Sequence, residues 1–134
     1  QYTTSQPSDA CLQSAKRIQY HYLRLNNNAS NLKCALHYGI PIIAGIPVFE
    51  EFENKNTITT GIVENPQQCG KVCNYHCVVI VGFDNKKQHF ICLNSWGENW
   101  GDKGYCYISY SYIHEYVDDL WVVYDHSPVN SLLL

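Results

Sequence analysis

The chain has 134 residues, of which 46% are hydrophobic and 16% are charged, so it has enough apolar side chains for one packed core. Its longest mostly apolar run, residues 40–49, is interrupted by two prolines and a glycine and is shorter than the about 20 residues that a membrane-spanning helix needs. The net charge of −3 argues against a nucleic-acid binder because no basic stripe neutralises phosphates, and 13% aromatic residues exclude chain-wide disorder.

The first part of the chain predicts a strand followed by a helix. Residues 1–10 are polar and predict a loop or an entering tail. Apolar and polar residues roughly alternate over residues 17–25, which predicts a strand with one buried face. Ser30 has the position of a helix N-cap, and Gly39 is placed to end that helix.

The middle of the chain predicts a buried strand and a long loop. Residues 41–47 are apolar and bounded by prolines, which predicts the strand. Phe49 and Phe52, with acidic residues around them, predict a short amphipathic turn. Residues 54–74 are rich in Asn, Thr, Pro, Gln and Gly and predict a long surface loop.

The second half of the chain has four closely spaced strand patterns, at residues 75–83, 88–94, 104–110 and 120–124. Residues 84–87 predict a hairpin turn, in which Asn85 is able to tolerate a left-handed conformation. Several late strands after one helix predict an antiparallel sheet or half-barrel with a small helical cover.

Seven cysteines, at positions 11, 34, 69, 73, 77, 92 and 106, are an odd number, so disulfides alone cannot use them all. Cys69, Cys73, Cys77 and His76 are close enough in sequence to suggest zinc. Structural zinc sites usually have a second ligand pair further on, and no clean second pair follows here. A disulfide or plain buried thiols are therefore favoured, and we predict no metal and no cofactor.

His76 and Asn94 are predicted to meet across the hairpin. Its centre near position 85.5 is 9.5 residues after His76 and 8.5 before Asn94, so the two side chains fall nearly face to face. An amide oxygen can then orient one imidazole nitrogen. Such a pair is catalytic only if a nucleophile joins it, and a purely structural histidine is the alternative.

Four segments carry a resemblance to one family. The run Asn94-Ser-Trp-Gly-x-x-Trp-Gly-x-x-Gly-Tyr resembles the asparagine motif of papain-like cysteine peptidases. Residues 75–83, Tyr-His-Cys-Val-Val-Ile-Val-Gly-Phe, are similar to the histidine strand of that family. Residues 41–52 resemble its apolar strand and aromatic turn, and residues 119–122 resemble its closing strand. Together they cover roughly residues 30–124 in the family's order.

The resemblance implies an α+β fold, a strand-rich antiparallel half-barrel lobe with few short helices. It also implies that His76 is the general base, that Asn94 orients it and that Trp96 packs over their hydrogen bond. It implies peptide-bond hydrolysis through an acyl-thioester intermediate, with a peptide or protein substrate bound in a cleft between two lobes. The three glycines of the asparagine motif are expected to make backbone turns around Trp100.

The family's nucleophile motif, Cys-Gly-(Ser/Ala)-Cys-(Trp/Tyr), lies about 130 residues or more before the histidine. Here 75 residues precede His76, and Cys11 stands 65 positions before it in a different context, Ser-Asp-Ala-Cys-Leu-Gln. The family's oxyanion-hole glutamine is not recognisable either. We therefore expect a missing N-terminal, Cys-bearing lobe as the partner of this chain, which alone is expected to be inactive.

These expectations define three segments: an entering tail or linker at residues 1–16, the His/Asn-bearing lobe at 17–126 and a C-terminal tail at 127–134. The chain begins at Gln1 and contains no methionine, so we expect a processed form or part of a longer protein. The sequence assigns no compartment. The alternative function is a catalytically inactive, peptidase-like binding or scaffold module, and a zinc-binding module is a third.

Overall fold

A computed structural model describes residues 6–17, 20–66 and 70–124, which form a seven-stranded sheet with short helices around it. The strands are β1 (His21–Arg24), β2 (Ile42–Val48), β3 (Ile62–Val63), β4 (Asn74–Asp84), β5 (His89–Leu93), β6 (Tyr105–Ser109) and β7 (Asp119–Tyr124). The helices are α1 (Asp9–Lys16), α2 (Ala29–His37), α3 (Lys55–Thr60) and α4 (Tyr110–Tyr116), with a 3₁₀ turn at Glu50–Glu53.

The strands lie in the order β1-β7-β2-β4-β5-β6-β3. All neighbours are antiparallel except β3 and β6, which pair in parallel. The α+β class with a strand-rich antiparallel sheet is therefore confirmed, as are the four late strands and the 3₁₀ turn that Phe52 occupies. Within the described residues, no helix is long and apolar enough to cross a membrane.

One side of the sheet forms a continuous core across five strands. The register places five fully buried side chains next to each other: Val122, Ile42, Ile80, Cys92 and Cys106. Burial of each large aliphatic side chain contributes about 1.5–3 kcal/mol, so this side of the sheet is a major source of stability.

The opposite side of the sheet carries a second apolar row, which is accessible. We call it the outer row, and the same registers place its members on consecutive strands: Trp121, Ile43, Val79, Leu93 and Tyr105. Between 38% and 41% of the surface of Ile43, Leu93 and Tyr105 is exposed. The outer row is thus an apolar strip on the described surface that runs across five strands.

Helix α2 begins two residues earlier than predicted. Its N-cap is Asn28, whose side-chain oxygen accepts a hydrogen bond from Ser30 N at 2.8 Å, so Ser30 lies inside the helix. Both residue types cap helices well, and the choice between them depends on where the chain leaves β1. Gly39 follows the helix with a left-handed φ of 74°, as predicted.

The predicted long loop over residues 54–74 is wrong, because α3 and β3 lie within it. Asn54 caps α3 by accepting a hydrogen bond from Thr57 N at 2.8 Å. Thr57 is fully buried, and its hydroxyl lies 2.8 Å from the carbonyl oxygens of Glu51 and Ile62. Polar residues whose side chains hydrogen-bond to backbone groups are also typical of loops. This explains why the composition of residues 54–74 predicted a loop there.

Two further helices were not predicted. Helix α1 lies where the sequence predicted a polar loop and tail, and Ser8 caps it by accepting a hydrogen bond from Cys11 N at 3.3 Å. Helix α4 follows β6 directly, and buried Tyr112 in it donates a hydrogen bond to Pro47 O at 2.6 Å. The C-terminal tail at 127–134 lies outside the described residues, and the segment boundaries stay predictions.

The β4–β5 hairpin forms where it was predicted, with a different turn residue. The left-handed residue is Gln88, with φ 58°, and not Asn85. Asp84 begins the turn by accepting hydrogen bonds from Lys86 N and Lys87 N at 2.8 and 3.1 Å. These bonds stabilise the turn from its first residue, so Asn85 is not needed in a left-handed conformation.

A β-bulge between Ile80 and Gly82 shifts the register of this hairpin. The pairing, extended past the end of β5, places Asn94 opposite Val78. His76 is two residues further along the same face, so the pair is diagonal and not face to face as predicted. Diagonal neighbours are still within reach of long side chains.

Candidate active site

His76 is the third residue of β4, and its side chain lies on the core side of the sheet, where it is half-buried. The residue that pairs with it on the neighbouring strand β2 is the buried Ile46. The following residue, Cys77, points to the opposite, accessible side because successive side chains alternate along a strand. The strand therefore separates the imidazole from the nearest thiol in the sequence.

Asn94 follows the last residue of β5 and is 7% exposed. His76 Nε2 lies 2.8 Å from Asn94 Oδ1, so the predicted contact is confirmed. Asn94 Oδ1 also accepts a hydrogen bond from Ser95 N at 2.7 Å. A backbone N–H can only donate, so this second bond determines which way the amide is oriented.

The amide orientation determines the imidazole tautomer. Because Asn94 presents its oxygen, His76 Nε2 must carry the hydrogen and donate it. Nδ1 is then the basic nitrogen of the neutral ring. Among the described residues, Nδ1 has no hydrogen-bond partner, so it is available to accept a proton.

Aromatic side chains surround the pair. The Trp96 ring lies 4.9 Å from the His76 ring at an interplanar angle of 32°, which confirms the predicted contact, although Trp96 is 41% exposed. Fully buried Phe52 lies beneath, 6.4 Å from His76 and 5.7 Å from Trp96. Trp100 stacks on Phe52 at 5.6 Å. These rings form one aromatic cluster against the imidazole.

Phe52 was not predicted to lie in the site. It was predicted only as part of an amphipathic turn, and its aromatic side chain in a turn between two apolar segments was the one sequence feature that could have indicated its role. Phe52 is 24 positions before His76 in the chain. Only the packing of the 3₁₀ turn against β4 brings the two rings together.

The loop after Asn94 turns through three glycines with left-handed φ values, 87° at Gly97, 63° at Gly101 and 88° at Gly104, as predicted. A side chain at Gly101 would collide with the carbonyl oxygen of Tyr105. Gly101 N also donates a hydrogen bond to Ile58 O at 2.7 Å, which fastens the loop to α3. The loop is thus held in one shape by backbone contacts.

Two buried donors beside the pair have no acceptor within the described part of the chain: Asn94 Nδ2 and Trp100 Nε1. Buried polar groups in folded proteins are nearly always hydrogen-bonded, to protein or to ordered water.

No group of three or more His, Cys, Asp or Glu side chains in the described ranges could hold a metal ion. Cys69, which was considered as a zinc ligand with Cys73, Cys77 and His76, lies outside the described residues. The expectation that these cysteines do not form a zinc site therefore stays a prediction.

The candidate site thus consists of His76 on β4, Asn94 at the end of β5 and the aromatic cluster that contacts the imidazole. The family model described as papain family cysteine protease matches residues 1–118. The chain belongs to the papain family of cysteine proteases.

Individual relatives agree with this assignment. A peptidase C1-like protein of Acanthamoeba polyphaga mimivirus is 35% identical over 101 residues, which are 74% of this chain and 32% of the viral protein. Peptidase 1 of Dermatophagoides pteronyssinus is 36% identical over 87 residues, 61% of this chain and 26% of that protein. The chain spans about a third or less of the length of these curated relatives.

Among solved structures, xylellain, a cysteine protease from Xylella fastidiosa, superposes with a TM-score of 0.78 at 31% identity. The superposition covers 89% of this chain and 45% of xylellain. The seven-stranded, mostly antiparallel sheet with short helices therefore matches a papain-like structure.

Proposed function

We propose that this chain supplies the base-bearing part of a cysteine peptidase that hydrolyses peptide bonds, with His76 as general base and Asn94 as the residue that orients it. The observation that carries the proposal is the 2.8 Å contact between His76 Nε2 and Asn94 Oδ1, with the amide locked by Ser95 N. That geometry leaves Nδ1 as the proton acceptor. The peptide substrate is proposed by family membership.

The proposed reaction uses Nδ1 twice. Nδ1 takes the proton of a cysteine thiol, and the thiolate attacks the peptide carbonyl to give a tetrahedral intermediate. The imidazolium returns the proton to the leaving amine, and an acyl-thioester remains. Nδ1 then takes a proton from water while the water oxygen attacks the thioester carbonyl. The carbon–sulfur bond breaks, the acid is released, and the imidazolium returns its proton to the departing sulfur. A neutral amide is a sufficient partner for the ring because the thiolate itself balances the imidazolium charge.

Trp96 supports this role through its position against the imidazole. Water that reached the His76–Asn94 bond would compete for both partners and weaken the orientation of the ring. The 4.9 Å separation of the Trp96 and His76 rings leaves no room for water between them. We therefore assign Trp96 as a positioning residue.

We propose that the thiol comes from a Cys-bearing lobe outside this chain. Cys77 lies on the opposite side of β4 from His76, and Cys92 and Cys106 are fully buried in the core. No cysteine of the described residues is hydrogen-bonded to His76.

The test compares this chain alone, and this chain joined to its Cys-bearing lobe, in cleavage of a fluorogenic peptide. We expect cleavage only by the joined protein and a loss of several orders of magnitude on His76→Ala. His37→Ala is the matched control, because His37 is an exposed residue of α2, and it should leave the rate unchanged.

Two results would contradict the proposal. Cleavage by this chain alone, blocked by a thiol-alkylating reagent, would make one of its own cysteines the nucleophile. Peptide binding by the joined protein without any cleavage would favour the alternative, a peptidase-like binding or scaffold module.

A further inference from the structure

Cys92 on β5 and Cys106 on β6 are directly opposite each other in the sheet. Both side chains point into the core and are fully buried. They occupy the last two positions of the buried row that crosses five strands, where the other members are aliphatic. The two facing thiols are therefore the chemically reactive members of a row that is otherwise aliphatic.

In the structure both residues are free thiols, and a hydrogen bond joins their side chains. Asn94 N donates to Gly104 O and Tyr110 N donates to Gln88 O, each at 2.9 Å. Hydrogen-bonded and non-hydrogen-bonded pairs alternate along an antiparallel ladder, so Cys92 and Cys106, two positions from the first of these, are a hydrogen-bonded pair. Such pairs have Cα atoms about 5.5 Å apart, within the disulfide range, but their Cβ atoms are also about 5.5 Å apart, against about 3.5–4.5 Å in a disulfide. The two thiols are therefore in contact, and bond formation must draw β5 and β6 closer together.

The position of the pair links it to the site. Residues 92 and 106 are the two ends of the segment that carries Asn94, Trp96 and Trp100. A bond between the two sulfurs would close this segment into a loop at its base. The loop is otherwise closed there by backbone hydrogen bonds, of which Asn94 N to Gly104 O is the nearest.

We propose that Cys92 and Cys106 are a redox-convertible pair whose disulfide locks the base of the loop that bears Asn94. Formation of the bond does not depend on the proposed function; only its consequence for the base does. In the reaction, one thiolate attacks a small-molecule disulfide such as oxidised glutathione, a mixed disulfide forms and one glutathione thiolate leaves. The second protein thiolate then attacks the mixed disulfide and releases the other glutathione. The protein loses two electrons and two protons, and oxidised glutathione becomes two molecules of reduced glutathione.

The folded environment makes this conversion slow. A hydrogen bond with the Cys106 side chain, together with burial, raises the pKa of Cys92 well above its usual value. Thiolate is the reactive form, so both burial and the raised pKa protect the pair while β5 and β6 stay together. Oxidation is expected during folding, or when this part of the sheet opens locally.

Tryptic mapping tests the proposal directly. Trypsin cleaves after Lys87 and Lys103, which places Cys92 in the peptide 88–103 and Cys106 in a separate peptide that begins at Gly104. Each peptide has one cysteine. The protein, with its Cys-bearing lobe if needed for folding, is refolded in glutathione buffers of graded ratio, alkylated and digested.

We expect a linked 88–103 peptide, 2 Da lighter than the sum of the two thiol peptides, to become the main species in the oxidising buffers. In the native protein the same species should form at least about tenfold more slowly, since opening must come first. The oxidised form should unfold at a urea midpoint higher by about 1 M or more, because the bond closes a loop of roughly 15 residues.

Cys106→Ala is the control, and it should abolish both the linked peptide and the difference between oxidised and reduced midpoints. A linkage of Cys92 to another cysteine, no linkage in any buffer, or a linkage without a midpoint shift would each overturn the proposal. These readouts do not use peptide cleavage. Failure here therefore leaves the His76 proposal standing, and failure of the His76→Ala test leaves this one standing.

Discussion

Replacement of Asn94 by alanine tests the central feature of the site. Asn94 Oδ1 accepts two hydrogen bonds, from His76 Nε2 at 2.8 Å and from Ser95 N at 2.7 Å. Asn94→Ala removes this acceptor and leaves two donors unsatisfied at a position where the residue is only 7% exposed. The imidazole then loses the contact that selects its tautomer and holds its plane.

The size of the effect follows from the bond that is lost. In the transition state the ring carries a positive charge, and a hydrogen bond from a charged group contributes about 1.5–3 kcal/mol. Each 1.36 kcal/mol changes a rate tenfold, so we expect kcat/KM to fall by about 10- to 150-fold in the enzyme that includes the Cys-bearing lobe. The loss should appear mainly in kcat, because Asn94 is proposed to hold the base and not the substrate.

The assay is steady-state cleavage of a fluorogenic peptide, with urea unfolding of the same samples. Asn94→Ala should also lower the free energy of unfolding by about 1–3 kcal/mol, because Ser95 N loses its acceptor. Asn65→Ala is the matched control: within the described part of the chain, Asn65 is hydrogen-bonded to Ser109 and Ser111 on the surface, and its loss should leave kcat/KM unchanged. An Asn94→Ala enzyme that folds and keeps the parental kcat/KM would refute the orienting role.

Three further outcomes are expected. Phe52→Ala should lower the free energy of unfolding by about 3–5 kcal/mol in urea titrations, because Phe52 is fully buried under the site; a change below 1 kcal/mol would contradict the packing. Gly101→Ala should destabilise more than Gly97→Ala, since both have positive φ but only the Gly101 side chain would meet a backbone carbonyl; equal effects would be the contrary result. Burial, followed by the charge of Lys87, lowers the pKa of His89 below 6.5, so the native state resists protonation of this ring. The neutral His89 ring therefore leaves the native state at full stability above a pH of about 6.5. The free energy of unfolding decreases as the pH falls from there through the lower pKa that His89 has in the folded state. His89→Gln should flatten this part of the urea stability profile, and an unchanged slope would count against it.

Patterns within a few neighbouring residues were sufficient to predict much of this fold. Alternation of apolar and polar residues predicted the late strands. The turn that begins at Asp84 was predicted to join the strand of His76 to the strand that leads to Asn94. The asparagine motif indicated the family, which the family match confirms. The catalytic roles of His76, Asn94 and Trp96 stay proposals. These features were readable because each depends on neighbours within a few residues: side-chain direction alternates along a strand, and turn residues act on their own backbone.

Other features depended on contacts between distant parts of the chain. The polar segment 54–74 reads as a loop, yet Thr57 is buried because its hydroxyl lies between two backbone carbonyls. The bulge in β4 places His76 on a diagonal from Asn94, and no local signal in the sequence announced it.

The amino-acid sequence by itself determined every described strand except β3, together with the hairpin and the residue types that meet at the site. The tertiary structure alone decided that Phe52 lies under the imidazole, that Ser95 N locks the Asn94 amide, and that Cys92 faces Cys106. The physical reason is that these contacts arise from the register of paired strands and from core packing. Both are selected by the free energy of the whole sheet, to which residues far apart in the sequence contribute together.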